Sequence, residues 1–191
     1  MRRYDRMITR LWLWSGRHAL ACASVLLGAC VVVMAGLGVR LALSDVSNIG
    51  TLTEGPVFFG IQRLLLGEPL YTPTGATPYV ILQYSPLYYL ICGGLCRIAG
   101  ITGEDILGVA RLARLVTLCL NPFVAWLLYK LARRGDCTRR MAWLAAGLAM
   151  VILFPWNAGA RSDLLLTLFM LLGIHAMMRV LGGNARVWNR F

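Results

Sequence analysis

Acidic residues, histidine and long polar runs are all scarce in this chain. Its 191 residues hold eight Asp and Glu against nineteen Lys and Arg, with two His. The sequence has no Cys-x-x-Cys pair, zinc-ligand spacing, glycine-rich phosphate loop or nucleophile elbow. The usual signatures of structural zinc sites, P-loop nucleotide hydrolysis and serine hydrolases are therefore excluded. The six cysteines are Cys22, Cys30, Cys92, Cys96, Cys119 and Cys137. Five lie in apolar stretches, where a thiol behaves as a small hydrophobe. There is no internal repeat, and no segment reads as a separate soluble domain.

Apolar sequence is abundant. Hydrophobic residues make up 59% of the chain and mean hydropathy is +0.68. They come in blocks: Ala19 to Val39 is 21 residues without a charge, and Met141 to Ala160 is 20 more. About 20 helical residues, at about 1.5 Å each, cross a hydrocarbon layer of about 30 Å. The expected class is an all-α integral membrane protein. The first run exceeds the ~7–15 residues of a signal-peptide core. Gly36-Leu37-Gly38 is a poor match to an Ala-x-Ala cleavage site, so this run reads as a retained signal anchor.

The net charge of +11 is distributed by topology, not as a nucleic-acid surface. Residues 1–18 carry +4, residues 44–110 carry −3, and residues 130–140 carry +4. Basic clusters separated by apolar runs follow the positive-inside rule for cytoplasmic segments. No nucleic-acid partner is expected.

In chain order, residues 1–17 form a basic cytoplasmic flank and 18–43 the first span. Residues 44–110 form an extracytoplasmic loop with interfacial helices at 54–66 and 86–101. The second span is 111–131, followed by a basic cytoplasmic turn at 132–140. The third and fourth spans are 141–158 and 162–181, and 182–191 is a cytoplasmic tail. Val57, Phe58, Ile61, Leu64 and Leu65 share one helical face, with Thr53 as cap and Gly67 as stop. Asn121-Pro122 is expected to kink the second span. If residues 86–101 crossed the membrane there would be five spans. The basic turn would then lie outside, against the charge rule, so about four spans with both termini cytoplasmic is preferred.

Several residues are candidates for chemistry. Glu54 begins a helix, whose N-terminus favours an ionised carboxylate. It reads as a general base, a divalent-cation ligand, or an acid that only complements the dipole. Arg161 suits a phosphate through paired hydrogen bonds, or pairs locally with Asp163. Asp45 is a second carboxylate or a solvated boundary acid. Tyr84, Tyr88 and Tyr89 line a lipid or sugar site, or form an interfacial aromatic belt. His175 reads as a polar helix contact.

Five features in order carry a resemblance. They are Thr53-Glu54-Gly55, the stretch RLLLGEPLY at 63–71, Tyr84-Ser85-Pro86-Leu87, the block from Ala110 to Arg134, and Arg161-Ser162-Asp163. Together they resemble the N-terminal part of the GT-C membrane glycosyltransferases, such as protein mannosyltransferases and aminoarabinose transferases. The resemblance covers residues 40–180. It implies sugar transfer from a polyprenyl-phosphate donor to a hydroxyl acceptor outside the cytoplasm, with inversion. It implies Glu54 as base and Arg161 steadying the departing phosphate. Asp163, Tyr84 and Asp45 would contact substrate. The family's first loop carries an acidic pair; here Thr53 stands where the first acid would be, which leaves a divalent cation open. Membrane lipids and the lipid-linked sugar are the expected partners, and the bacterial inner membrane is the expected location. Members of this family are more than twice as long. The chain is therefore expected to be an N-terminal module that needs a remainder or partner subunit for activity. The rival expectations are a non-catalytic module or remnant that binds lipid-linked sugar, and a small transporter subunit.

Overall fold

The computed structural model describes residues 2–44, 54–71, 82, 85–157 and 159–188. Among these, every regular element is a helix. They are α1 (Arg2–Leu43), α2 (Glu54–Leu65), α3 (Pro86–Ile98), α4 (Ile106–Arg134), α5 (Arg139–Asn157) and α6 (Asp163–Trp188). Asp45, Thr53 and Tyr84, named above as candidate or capping residues, lie outside the described residues.

Three segments are long and apolar enough to cross a membrane: His18–Leu43, Ile106–Arg134 and Asp163–Leu181. The architecture is thus that of an all-α membrane protein. The fourth expected span corresponds to α5, a 19-residue helix that packs against α1 and α4.

Several boundaries differ from the sequence reading for local reasons. The basic flank and first span form one continuous helix from Arg2. α3 stops at Ile98, not residue 101. Gly100 adopts φ +72°, and the Ile101 N–H returns to the Cys96 carbonyl at 2.9 Å. This is a left-handed glycine stop. The same device ends α2, where Gly67 has φ +78° and the Glu68 N–H reaches the Arg63 carbonyl at 2.8 Å. α4 starts at Ile106, five residues before the expected 111, because the Asp105 carboxylate caps it by accepting the Gly108 N–H at 2.9 Å. Arg111 and Arg114 therefore lie inside the helix. α4 also runs unbroken through Pro122 as a single helix.

α4 is the hub, packing against all five other helices. Leu27 of α1 meets Gly147 of α5, and further along Met34 and Val39 share a cavity with Met150 and Val151. α1 and α5 therefore run in the same direction. α4 and α6 both run the other way: Arg114 and Arg161 lie at one end, while Arg134 donates to the His175 carbonyl at 3.0 Å towards the other. The rise of a helix puts Arg134 about 30 Å beyond Arg114, close to one hydrocarbon thickness.

The short helices α2 and α3 pack on each other and on the N-terminal half of α4. Val57, Ile61, Tyr88, Tyr89, Cys92 and Cys96 are buried there with Val109 and Ala113. α3 is apolar on both sides, since Leu87, Leu90, Ile91, Leu95 and Ile98 are all exposed. Arg97 is turned back to donate to the Leu64 carbonyl at 2.9 Å, which ties α3 to the end of α2.

Candidate functional site

The polar residues of the core meet where α2, α3 and α4 join the turn between α5 and α6. Glu54, the first residue of α2, is 2% exposed. Its Oε1 accepts from Arg114 Nε at 3.3 Å and its Oε2 from Arg114 Nη2 at 3.0 Å. This paired geometry is the strong form of the arginine–carboxylate contact. Oε1 also accepts the Ala160 N–H at 2.7 Å. The Phe58 ring, one turn along α2, lies 5.5 Å from the Arg114 guanidinium. The turn passes close to Glu54 at Gly159, where a Cβ would meet the carboxylate and force a shift.

A second group lies one turn along α4. The Tyr88 hydroxyl is 2.9 Å from the Ala113 carbonyl, to which it donates, and 2.8 Å from Thr117 Oγ1. Thr117 Oγ1 accepts the Arg161 N–H at 3.2 Å. Burial holds the Tyr88 phenol well above its usual pKa, so it remains a neutral donor. The α5–α6 turn is thereby fastened twice, at Ala160 by Glu54 and at Arg161 by Thr117.

This fastening fixes the next residues against α3. A cavity of about 240 Å³ lies between the starts of α3 and α6. Ser85, Tyr88, Ser162 and Asp163 contribute its polar side, and Leu87, Leu165, Leu166 and Phe169 its apolar side. The Asp163 side chain is 52% exposed, 4.0 Å from Arg161 Nη1.

Of the five candidates, the structure gathers Glu54, Arg161 and Asp163 at one end of the bundle. Only Asp163 of the two carboxylates has an open face; Glu54 is enclosed by its donors. That enclosure does not suit a divalent cation at Glu54, since Arg114 and the Ala160 N–H occupy the positions a cation would take. No cluster of three His, Cys, Asp or Glu side chains stands ready for a metal among the described residues. Tyr88 is buried beside the cavity and engaged with α4, not part of an interfacial belt.

The sequence reading missed Arg114 and Thr117. The available signal was the spacing of Arg114, Thr117 and Asn121, which puts three polar residues on one face of an apolar helix. Polar side chains within a span face the bundle interior, and all three are buried. No protein-family model, curated protein or solved structure matches the chain.

Proposed function

We propose that this chain is the N-terminal module of a membrane glycosyltransferase. It would move a sugar from a polyprenyl-phosphate donor to a hydroxyl acceptor on the extracytoplasmic side. Four spans, α1, α4, α5 and α6, would cross the bacterial inner membrane with both termini cytoplasmic, and α2 and α3 would lie in the outer interface. The charges support this orientation. Arg133, Arg134, Arg139 and Arg140 stand at the end of α4 and start of α5, away from Glu54 and Asp163.

The observation that carries the reading is the double fastening of the α5–α6 turn beside an amphipathic cavity. It holds a cation, Arg161, and a half-exposed carboxylate, Asp163, at one end of the bundle. In the reaction the acceptor oxygen bonds to the anomeric carbon, and the carbon–oxygen bond to phosphate breaks. The phosphate leaves with the electron pair, and the acceptor proton passes to a carboxylate. The resemblance assigns that proton to Glu54. The geometry favours Asp163, because a base must reach its proton within hydrogen-bond distance and Glu54 is enclosed. Glu54 then positions the turn, and Arg161 steadies the departing charge.

A transfer assay in membranes that depend on this chain tests the assignment. Asp163→Asn should lower transfer about a hundredfold or more with the melting temperature kept. Glu54→Gln should lower rate and melting temperature together. Undiminished transfer by Asp163→Asn would overturn Asp163 as base. The burial of Glu54 also favours a second reading, a non-catalytic module that binds lipid-linked sugar. Lipid binding without any transfer by the parent chain would select it.

A further inference from the structure

The end of the bundle away from Glu54 holds a second group of charges. Lys130 and Arg134 stand one turn apart near the end of α4, and His175 and Arg179 stand one turn apart on α6. The two helices pack together, and Arg134 Nη1 donates to the His175 carbonyl at 3.0 Å. Lys130, Arg134 and Arg179 all act electrostatically on the His175 ring, so the three cations stand around one point. Among the described residues no carboxylate pairs with any of the three; the ion pairs there are made by Arg63, Arg114 and Arg161.

Like charges one turn apart on a helix repel each other. Here the repulsion acts within α4 and again between α4 and α6. An anion bridging the two helices would turn it into attraction, and a guanidinium matches the oxygens of a phosphate. The place of the cluster favours a lipid as the source of that phosphate. Arg134 and Arg179 occupy the last turns of two segments long enough to cross a membrane, the level at which lipid phosphates lie. Apolar surface extends from the cluster towards the middle of the span. Trp126 and Phe123 lie four and seven residues before Lys130, on its face of α4, and are 53% and 58% exposed. The Lys130 ammonium lies 5.5 Å from the centroid of the Trp126 ring, which joins the charged part of this surface to the apolar part. A free anion would leave the apolar part uncovered, whereas a phospholipid covers both.

We propose that Lys130, Arg134 and Arg179 bind the phosphate of one anionic phospholipid, whose acyl chain lies along Trp126 and Phe123. Basic pockets between spanning helices on the cytoplasmic side hold anionic headgroups in this way. The lipid would tie α4 to α6 at the end of the bundle opposite the cavity described above, and the inference is independent of sugar transfer.

Titrations of the full chain in neutral maltoside micelles test it, with dioleoyl phosphatidylglycerol, dioleoyl phosphatidylcholine and glycerol phosphate as probes. Phosphatidylglycerol should bind at least about tenfold tighter than either of the others. Lys130→Gln and Arg179→Gln, both at exposed positions, should each weaken it about fivefold, the effect of one basic residue near a membrane surface. Arg139→Gln removes an equal charge at the start of α5, outside the cluster, and should leave the affinity unchanged. Trp126→Ala should weaken phosphatidylglycerol and leave glycerol phosphate unchanged. Phosphatidylglycerol should also shift the imidazole NMR signals of His175, identified by their loss in His175→Asn. Equal affinity for the two phospholipids would overturn the headgroup assignment, and equal affinity for phosphatidylglycerol and glycerol phosphate would overturn the chain path. Weakening by Arg139→Gln as large as that by Lys130→Gln, or His175 signals that do not move, would overturn the site in favour of a diffuse attraction to a basic surface.

Discussion

Replacing Arg114 with methionine should be among the most damaging single changes in this chain. Methionine keeps an unbranched apolar stem like that of arginine but removes its charged head. Glu54 would then stay buried with the Ala160 N–H as its one remaining hydrogen-bond donor among the described residues. Both partners are nearly inaccessible, with side chains 3% exposed. Removing one member of a buried pair costs about 3–5 kcal/mol, because the other charge is left without a partner. For a chain of this size each kcal/mol corresponds to about 2–4 °C, so the expected drop in melting temperature is about 6–20 °C. Thermal unfolding followed by circular dichroism, in one detergent at one concentration, would measure it. The double variant Glu54→Gln with Arg114→Met removes both charges and keeps an acceptor for Ala160. It should recover most of the loss, since replacing a whole buried pair is often neutral. A melting temperature for Arg114→Met within about 2 °C of the parent would refute the argument. So would simple additivity of the two single changes, which is the behaviour of sites that do not interact.

Other outcomes follow from the same contacts. Gly159→Ala should destabilise by about 1–3 kcal/mol in the same melting assay, because the added methyl meets the Glu54 carboxylate and the turn has to shift. Tyr88→Phe should cost about 0.5–1.5 kcal/mol, since Thr117 keeps its own contact with the Ala113 carbonyl. Burial pushes the Cys92 thiol up to about 12. The thiolate is the reactive form, so at pH 8 a maleimide should leave Cys92 unmodified in the native chain and modify it after denaturation. Cys137, exposed in the basic turn, should react with a membrane-impermeant maleimide from the cytoplasmic side alone. Labelling of Cys137 from outside would reverse the proposed orientation.

The helices were largely legible because their signals are local. The apolar face of α2 and the stop at Gly67 gave a helix over 54–66, against the observed Glu54–Leu65. The start of α4 is less legible: in the sequence Asp105 reads only as loop charge and the span begins at Arg111, whereas the Asp105 carboxylate caps a helix that begins at Ile106. The site was the least legible part. Glu54 drew attention as a helix-start acid, but its partner lies 60 residues away. Arg114 looked like one more charge to be sorted by side of the membrane. A charge-sidedness argument asks where an arginine sits along the membrane normal, whereas its role here depends on which way it faces around the helix axis.

The central position of α4 has a consequence for biogenesis. α1 is made first, but it packs on α4 and α5, which are made much later. During synthesis it must reside in the bilayer with only lipid around it. A helix that waits alone must be stable by its own apolarity, as the two-stage view of membrane folding requires. α1 contains the most apolar of the three spanning segments, and α4 the least. α4 carries Arg111, Arg114 and Asn121 into the bundle, and it arrives when Glu54 has already been synthesised to receive one of them. The first helix made is thus the one best able to wait in the bilayer alone, and the least apolar, α4, follows only after Glu54 has been made.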